Sequence, residues 1–92
     1  MSIQWLYDVI EFRRQNPSDK SYTSSLFAEG LPKIAQKIGE EGTEVVVAAL
    51  AQDDQRLIEE IADLTYHTLV LLAARGLTMQ DILSELERRH TR

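Results

Sequence analysis

Residues 37–63 read KIGEEGTEVVVAALAQDDQRLIEEIAD, two acidic and partly apolar stretches parted by the polar break Gln52-Asp53-Asp54. As two helices joined by a tight turn, they set two pairs of carboxylates on facing elements. Glu44 lies seven residues before Ala51 and Glu60 six after Asp54, which puts both ~9 to 11 Å from the turn at ~1.5 Å per residue. Glu41 and Asp63 stand one helical turn further out. Four carboxylates converging at this height repel one another strongly unless a cation sits between them. The spacing therefore predicts a helical hairpin with a divalent cation among Glu41, Glu44, Glu60 and Asp63.

Either pair alone is weak evidence, because glutamate is a good helix former and E-x-x-E spacings decorate many solvated faces. Two further features separate these residues from a bland surface. Glu60 and Asp63 project from a helix that Leu57, Ile58, Ile61, Leu64, Leu69, Val70, Leu71 and Leu72 make apolar nearly all round. An unpaired charge buried there is costly, so these carboxylates need a partner. The donors are also all hard oxygens and the chain has no cysteine, which favours Mg2+, with Mn2+ as the alternative, over Zn2+.

On the first of the two helices Lys33, Lys37, Glu40, Glu41 and Glu44 share a sector of about 100° when placed at 3.6 residues per turn. A salt-bridged stripe is the plain account of that sector. Lysine N-terminal to glutamate is, however, the less favourable order for a pair worth only ~0.2 to 0.5 kcal/mol. Holding an anion beside a metal is the better reason for Lys33 and Lys37. Gly39 and Gly42 interrupt the same helix at a cost of ~1 kcal/mol each against alanine, through either close approach of a ligand or neighbouring helix or neutral drift. His67 lies one turn beyond Asp63; a lone histidine on an apolar helix is more often a hydrogen-bonded core or interface residue, and it is left out of the metal set. Ser21, Tyr22 and Thr23 suit either a helix cap or phosphate oxygens.

Outward from the hairpin, Ser2 caps a helix over about residues 3–15 with Trp5, Leu6, Val9, Ile10 and Phe12 as its apolar stripe, and Asn16-Pro17 stops it. Residues 17–21 read as a loop too polar for the core, followed by a short helical piece ending at Gly30. Pro32 suits the first turn of the long helix that Ile34, Ile38, Val45, Val46 and Ala49 carry to about Ala51. Asp53 or Asp54 caps the next helix, which closes at Gly76 with Leu77 packed back on it. Thr78 and Asp81 resemble a capping box opening a last helix, with Met79, Ile82, Leu83 and Leu86 inward. No strand pattern, repeat or second domain is visible, so the expectation is one all-α helical domain over residues 1–92.

Composition narrows the classes. With 43% hydrophobic and 27% charged residues the chain is ordinary for a folded globular protein. A formal net charge of −5 argues against nonspecific nucleic-acid binding, which needs lysine and arginine to neutralise phosphates. No apolar run approaches the ~20 residues that span a bilayer, and Met1-Ser2-Ile3-Gln4-Trp5 opens no secretory signal. No membrane or nucleic-acid partner is expected, and the cysteine-free composition fits a cytoplasmic location.

Five motifs carry a resemblance: Ser21-Tyr22-Thr23; Glu29-Gly30-Leu31; Lys37-x-Gly39-Glu40-Glu41-x-x-Glu44-Val45; Glu60-x-x-Asp63-Leu64-x-Tyr66-His67; and Leu86-x-x-Arg89. Together they resemble the phosphoribosyl-ATP pyrophosphohydrolase family of histidine biosynthesis, within the all-α nucleoside triphosphate pyrophosphatase superfamily. The acidic motifs are shared by that wider superfamily; the Ser-Tyr-Thr and Tyr-His motifs point to the narrower family. The resemblance implies hydrolysis of phosphoribosyl-ATP, a nucleotide substrate, to phosphoribosyl-AMP and pyrophosphate, with Mg2+ and as a homodimer. Glu41, Glu44, Glu60 and Asp63 match its metal positions; Glu40 is the residue to orient or deprotonate water, and Lys33 and Lys37 are assigned to phosphates. The excess of apolar surface on the fourth helical segment, the one opened by Asp53 or Asp54, independently suggests in so short a chain that a second subunit covers it. The family also occurs fused to a cyclohydrolase, and no such fusion is expected here.

Two rival readings use the same residues. One is a house-cleaning pyrophosphatase of noncanonical or ordinary nucleoside triphosphates. The other is a noncatalytic helical dimer whose acidic stripe holds a structural cation or a protein partner.

Overall fold

The computed structural model describes residues 1–91 and folds them into five helices: α1 (Ile3–Gln15), α2 (Tyr22–Glu29), α3 (Leu31–Ala51), α4 (Asp54–Ala74) and α5 (Met79–Thr91). No strand occurs among the described residues, and the architecture is an all-α bundle. Arg92, the last residue of the expected domain, lies outside the described residues.

Short polar side chains set the helix starts. Ser2 Oγ accepts from the Trp5 N–H at 3.0 Å, Ser21 Oγ from Ser24 at 3.1 Å and Asp53 Oδ1 from Arg56 at 2.9 Å. Each satisfies a first-turn donor that the helix itself leaves unpaired. Thr78 and Asp81 close a reciprocal box, with Thr78 N–H donating to Asp81 Oδ2 at 2.8 Å and Asp81 N–H to Thr78 Oγ1 at 3.2 Å. At the far end of α4, Gly76 takes φ 71° and the Leu77 N–H reaches the Leu72 carbonyl at 2.8 Å. That left-handed turn returns donors to the carbonyls of Leu72 and Ala73.

The long helices α3 and α4 pack along each other as an antiparallel hairpin; α1 crosses α4, and α2 is wedged against α1, α3 and α4. The core is Tyr7, Ile10, Leu26, Ile34, Leu69, Val70, Leu72 and Ala73. Tyr7 enters it with its hydroxyl satisfied, donating to the Leu77 carbonyl at 2.7 Å and tying α1 to the turn after α4.

Several expected faces are rotated. On α1 the buried residues are Tyr7 and Ile10, while Trp5 and Phe12 are more than half exposed. A phenol with a partner is a better core group here than an indole at the helix start. On α3 the buried positions are Ile34, Glu41 and Ala48, a seven-residue seam toward α4, and Val46 and Ala49 point away from it. The expectation that α4 is covered nearly all round holds for its second half; Ile58 and Ile61, nearer the turn, are exposed. Within α2, Thr23 and Ser24 are buried with their hydroxyls bonded. The largest departure is α5. Ile82, Leu83 and Leu86 are 41%, 46% and 57% exposed rather than inward, and only Met79 packs against the core. Among the described residues the stripe is left largely open to solvent, with Ile82 bordering an apolar hollow shared with Ile3, Leu64 and Leu72.

Candidate metal centre

The α3 seam places Glu41 between apolar neighbours one helical repeat away on each side, Ile34 and Ala48. Across from it, α4 buries Glu60 and His67, again seven residues apart. Two helices that pack side by side through such seams bring polar residues at those positions into contact. Carboxylate oxygens of Glu41, Glu60 and Asp63 accordingly all lie within 4.8 Å of one another. Glu41 and Glu60 are buried and Asp63 is exposed.

Glu44, the fourth expected ligand, is exposed at the edge of this group, with its carboxyl beside that of Glu60. Glu60 Oε2 is buried and receives no hydrogen bond. Two ionised carboxylates have no donor between them, so their direct contact requires a proton or a cation. The Glu60 carboxyl titrates above its ordinary value, chiefly because Glu44 hydrogen-bonds its protonated form. Burial and the charges of Glu44 and Asp63 push the same way, and Arg56 opposes them. A buried carboxylate oxygen without a donor, beside further hard-oxygen donors, fits a divalent cation.

Arg56, one turn before Glu60, had no role in the sequence reading. Its guanidinium bridges Glu59 Oε1 and Glu60 Oε1, both at 2.5 Å. The i, i+3 and i, i+4 spacings to Glu59 and Glu60 were the available signal. Arg56 also lines, with Glu44, Val47, Gln52 and Glu60, a concavity of about 260 Å³. Glu40 is not brought into the carboxylate group. It is exposed, accepts from Gln36 Nε2 at 3.3 Å and lines an outer concavity with Gln36, Gly39, Thr43 and Glu44. Glu44 thus borders both hollows.

Lys33 and Lys37 are half-buried and form no ion pair among the described residues, so the salt-bridged stripe is not what holds them. The Lys37 charge is felt at the Tyr22 hydroxyl, whose pKa burial raises and Lys37 lowers, with burial the larger effect. Neither Gly39 nor Gly42 abuts another helix; a Cβ added at either meets nothing within 4 Å.

The Ser21, Tyr22 and Thr23 hydroxyls are engaged within the fold. Ser21 caps α2, Thr23 Oγ1 bonds the Tyr66 hydroxyl and the Tyr22 hydroxyl lies 3.0 Å from His67 Nε2. His67, as expected, is a buried hydrogen-bonded residue. Its Nδ1 is 2.8 Å from the Asp63 carbonyl and 3.0 Å from Glu41 Oε1. The Tyr22, Tyr66 and His67 rings pack as one cluster, the tyrosines stacked with centroids 6.4 Å apart and the imidazole edge-on to both.

In class, the chain is an all-α bundle with an acidic centre between two antiparallel helices. The family model described as phosphoribosyl-ATP pyrophosphohydrolase matches residues 3–90. A phosphoribosyl-ATP pyrophosphatase of Lacticaseibacillus casei (strain BL23) is 54% identical over 88 residues, 96% of this chain and 80% of that protein. One of Pyrobaculum calidifontis is 49% identical over 87 residues, covering 95% of this chain and 93% of the relative. A histidine biosynthesis bifunctional protein of Oceanobacillus iheyensis is 51% identical over 81 residues, 88% of this chain and 38% of that longer protein. The chain belongs to the phosphoribosyl-ATP pyrophosphohydrolase family.

Proposed function

We infer that this chain hydrolyses phosphoribosyl-ATP to phosphoribosyl-AMP and pyrophosphate, in histidine biosynthesis. The observation that carries the reading, beside family membership, is the buried and donorless Glu60 Oε2 among the carboxylates of Glu41, Glu44 and Asp63. Glu41, Glu60 and Asp63 hold the cation, Mg2+ by preference and Mn2+ as its substitute, with Glu44 completing the set from the rim. When bound, the cation offsets charge on the phosphate oxygens and acidifies water.

The chain's own residues do the rest. Glu40, exposed on the outer hollow, orients water and takes its proton. The water oxygen bonds to the phosphorus next to the ribose, the bridging P–O bond breaks, and pyrophosphate departs with the electron pair. Lys33 and Lys37 draw the polyphosphate onto this face, and the segment Ser21, Tyr22 and Thr23 borders it.

A single domain suffices for this chemistry. The uncovered stripe of α5 and the exposed apolar residues near the hairpin turn fit a homodimer, since one small chain leaves them to water. No helix among the described residues is long and apolar enough to cross a membrane, and we place the enzyme in the cytoplasm with its soluble nucleotide substrate.

Pyrophosphate release from phosphoribosyl-ATP, measured against a panel of nucleoside triphosphates, tests the reading. Preference for phosphoribosyl-ATP with dependence on Mg2+ is the expected result. Preference for free triphosphates would replace it with a house-cleaning role.

A further inference from the structure

We propose that His67 is the positioning residue of the metal centre: it fixes the carboxylate of Glu41, and the Tyr22 hydroxyl of α2 fixes His67. The proposal rests on the reading of Glu41, Glu60 and Asp63 as cation ligands.

The hydrogen-bond chemistry leaves one arrangement of the ring. His67 Nδ1 faces the Asp63 backbone carbonyl at 2.8 Å and Glu41 Oε1 at 3.0 Å. A carbonyl oxygen can only accept, so Nδ1 carries the hydrogen and gives it to the Asp63 carbonyl, with the Glu41 Oε1 charge drawn against the same N–H at 3.0 Å. In the neutral ring Nε2 is then bare, and the Tyr22 hydroxyl, 3.0 Å away, donates to it. Both nitrogens are committed, so neither is free to ligate a metal. The imidazole instead clamps Glu41 Oε1 and leaves Oε2 for the cation.

The surroundings keep the ring in this pose. His67 is buried, edge-on to the stacked rings of Tyr22 and Tyr66, and Tyr66 is in turn bonded to Thr23. Residues 22 and 23 of α2 and residues 66 and 67 of α4 thus form two adjacent rungs. The second steadies the ring that the first orients, and the first ends on a metal ligand of α3. Partners that hold a ligating carboxylate in this way typically contribute about 10- to 100-fold to metal affinity.

The test uses the full chain and Mn2+, whose binding is followed by electron paramagnetic resonance, together with imidazole nitrogen spectra. The chain contains only two histidines, His67 and His90, so the spectra are simple. In the wild type, His67 should show a protonated Nδ1 and a bare Nε2. His67→Leu should weaken Mn2+ binding about 10- to 100-fold with helicity retained. His67→Asn, whose amide N–H falls near the place of Nδ1, should recover most of that loss, a rescue that simple packing does not give. Tyr22→Phe, at a half-exposed ring, should shift the Nε2 resonance and weaken Mn2+ binding in a folded protein, and it carries the test should His67→Leu unfold. A bare Nδ1 in the wild type, Tyr22→Phe binding Mn2+ as tightly as wild type, or an asparagine variant no better than leucine overturns the positioning role alone. Failure of the wild type to bind millimolar Mn2+ overturns the cation site and the proposal together.

Discussion

Arg56 and Glu60 meet at 2.5 Å across one turn of α4, the guanidinium holding one oxygen of a carboxylate whose other oxygen receives no hydrogen bond. The arginine therefore stands in for half of the charge that the site requires. Removing it sets two effects in opposition. The metal-free protein loses its compensating cation, and an incoming metal ion loses a competitor. Arg56→Gln should melt lower than wild type without metal and gain more on adding millimolar Mg2+. Stabilisation by a ligand follows its saturation, reaching about 2.7 kcal/mol at 100 times the dissociation constant. Paired thermal melts with and without Mg2+ make the comparison, and equal metal-induced shifts in the two proteins would deny the competition.

The raised titration of Glu60 sets a pH dependence with a definite sign. The carboxyl binds its proton more tightly in the fold than in the unfolded chain, where the value is the ordinary 4.5. Well below 4.5 the proton is on in both states. As pH climbs from there through the folded value, ionisation of Glu60 favours unfolding, and stability falls. Glu11, held low by Arg14, works in the opposite sense but equally in any Glu60 variant. Metal-free Glu60→Gln should therefore lose less stability than wild type between about pH 5 and pH 8. Chemical denaturation in a chelator at both pH values measures this; parallel profiles would show that Glu60 is not the group responsible.

Asp63 contributes an exposed oxygen to a group whose other members are buried. Its conversion to asparagine should leave the fold intact, because the side chain is exposed and nearly the same size, and relieve repulsion in the metal-free state. Turnover should nevertheless fall on the order of 100-fold or more, since a catalytic cation supplies several kcal/mol of charge stabilisation. Steady-state pyrophosphate release beside a melting curve separates the two properties, and unchanged turnover would remove Asp63 from the site.

Leu83 sits in the middle of the stripe that the described residues leave open, 46% exposed. A charge there costs little in an isolated chain and a great deal in an apolar contact between chains. Leu83→Glu should shift sedimentation at micromolar concentration from dimer toward monomer while helicity is retained. A wild type that sediments as a monomer would leave α5 without this role.

Much of this was visible in one dimension. Helix starts follow from Ser2, Ser21, Asp53 and Thr78, whose capping is local, and the hairpin follows from the polar break between two long patterns. The carboxylate heights predicted that Glu41, Glu60 and Asp63 would meet, and their oxygens do lie together, because rise per residue is nearly constant in a helix. Rotation about the helix axis was harder. Trp5, Tyr7, Ile10 and Phe12 allow two neighbouring stripes on α1, and the choice is made by a partner seventy residues away, the Leu77 carbonyl. The α5 stripe was legible as apolar, but a pattern does not say whose surface covers it. The polar contacts of His67 reach α2 and α3 and exist only after three helices have docked. No spacing rule along α4 would have found them.

The seven-residue seam of Ile34, Glu41 and Ala48 makes the acidic centre a matter of phase. One residue inserted between Ile34 and Glu41 would turn the carboxylate about 100° around the α3 axis, away from α4, although composition and helical propensity hardly changed. Loop 16–21 can absorb such an insertion; this stretch of α3 cannot. The long helix is thus a fixed-length ruler, and along it the gene can change letters far more readily than it can change count.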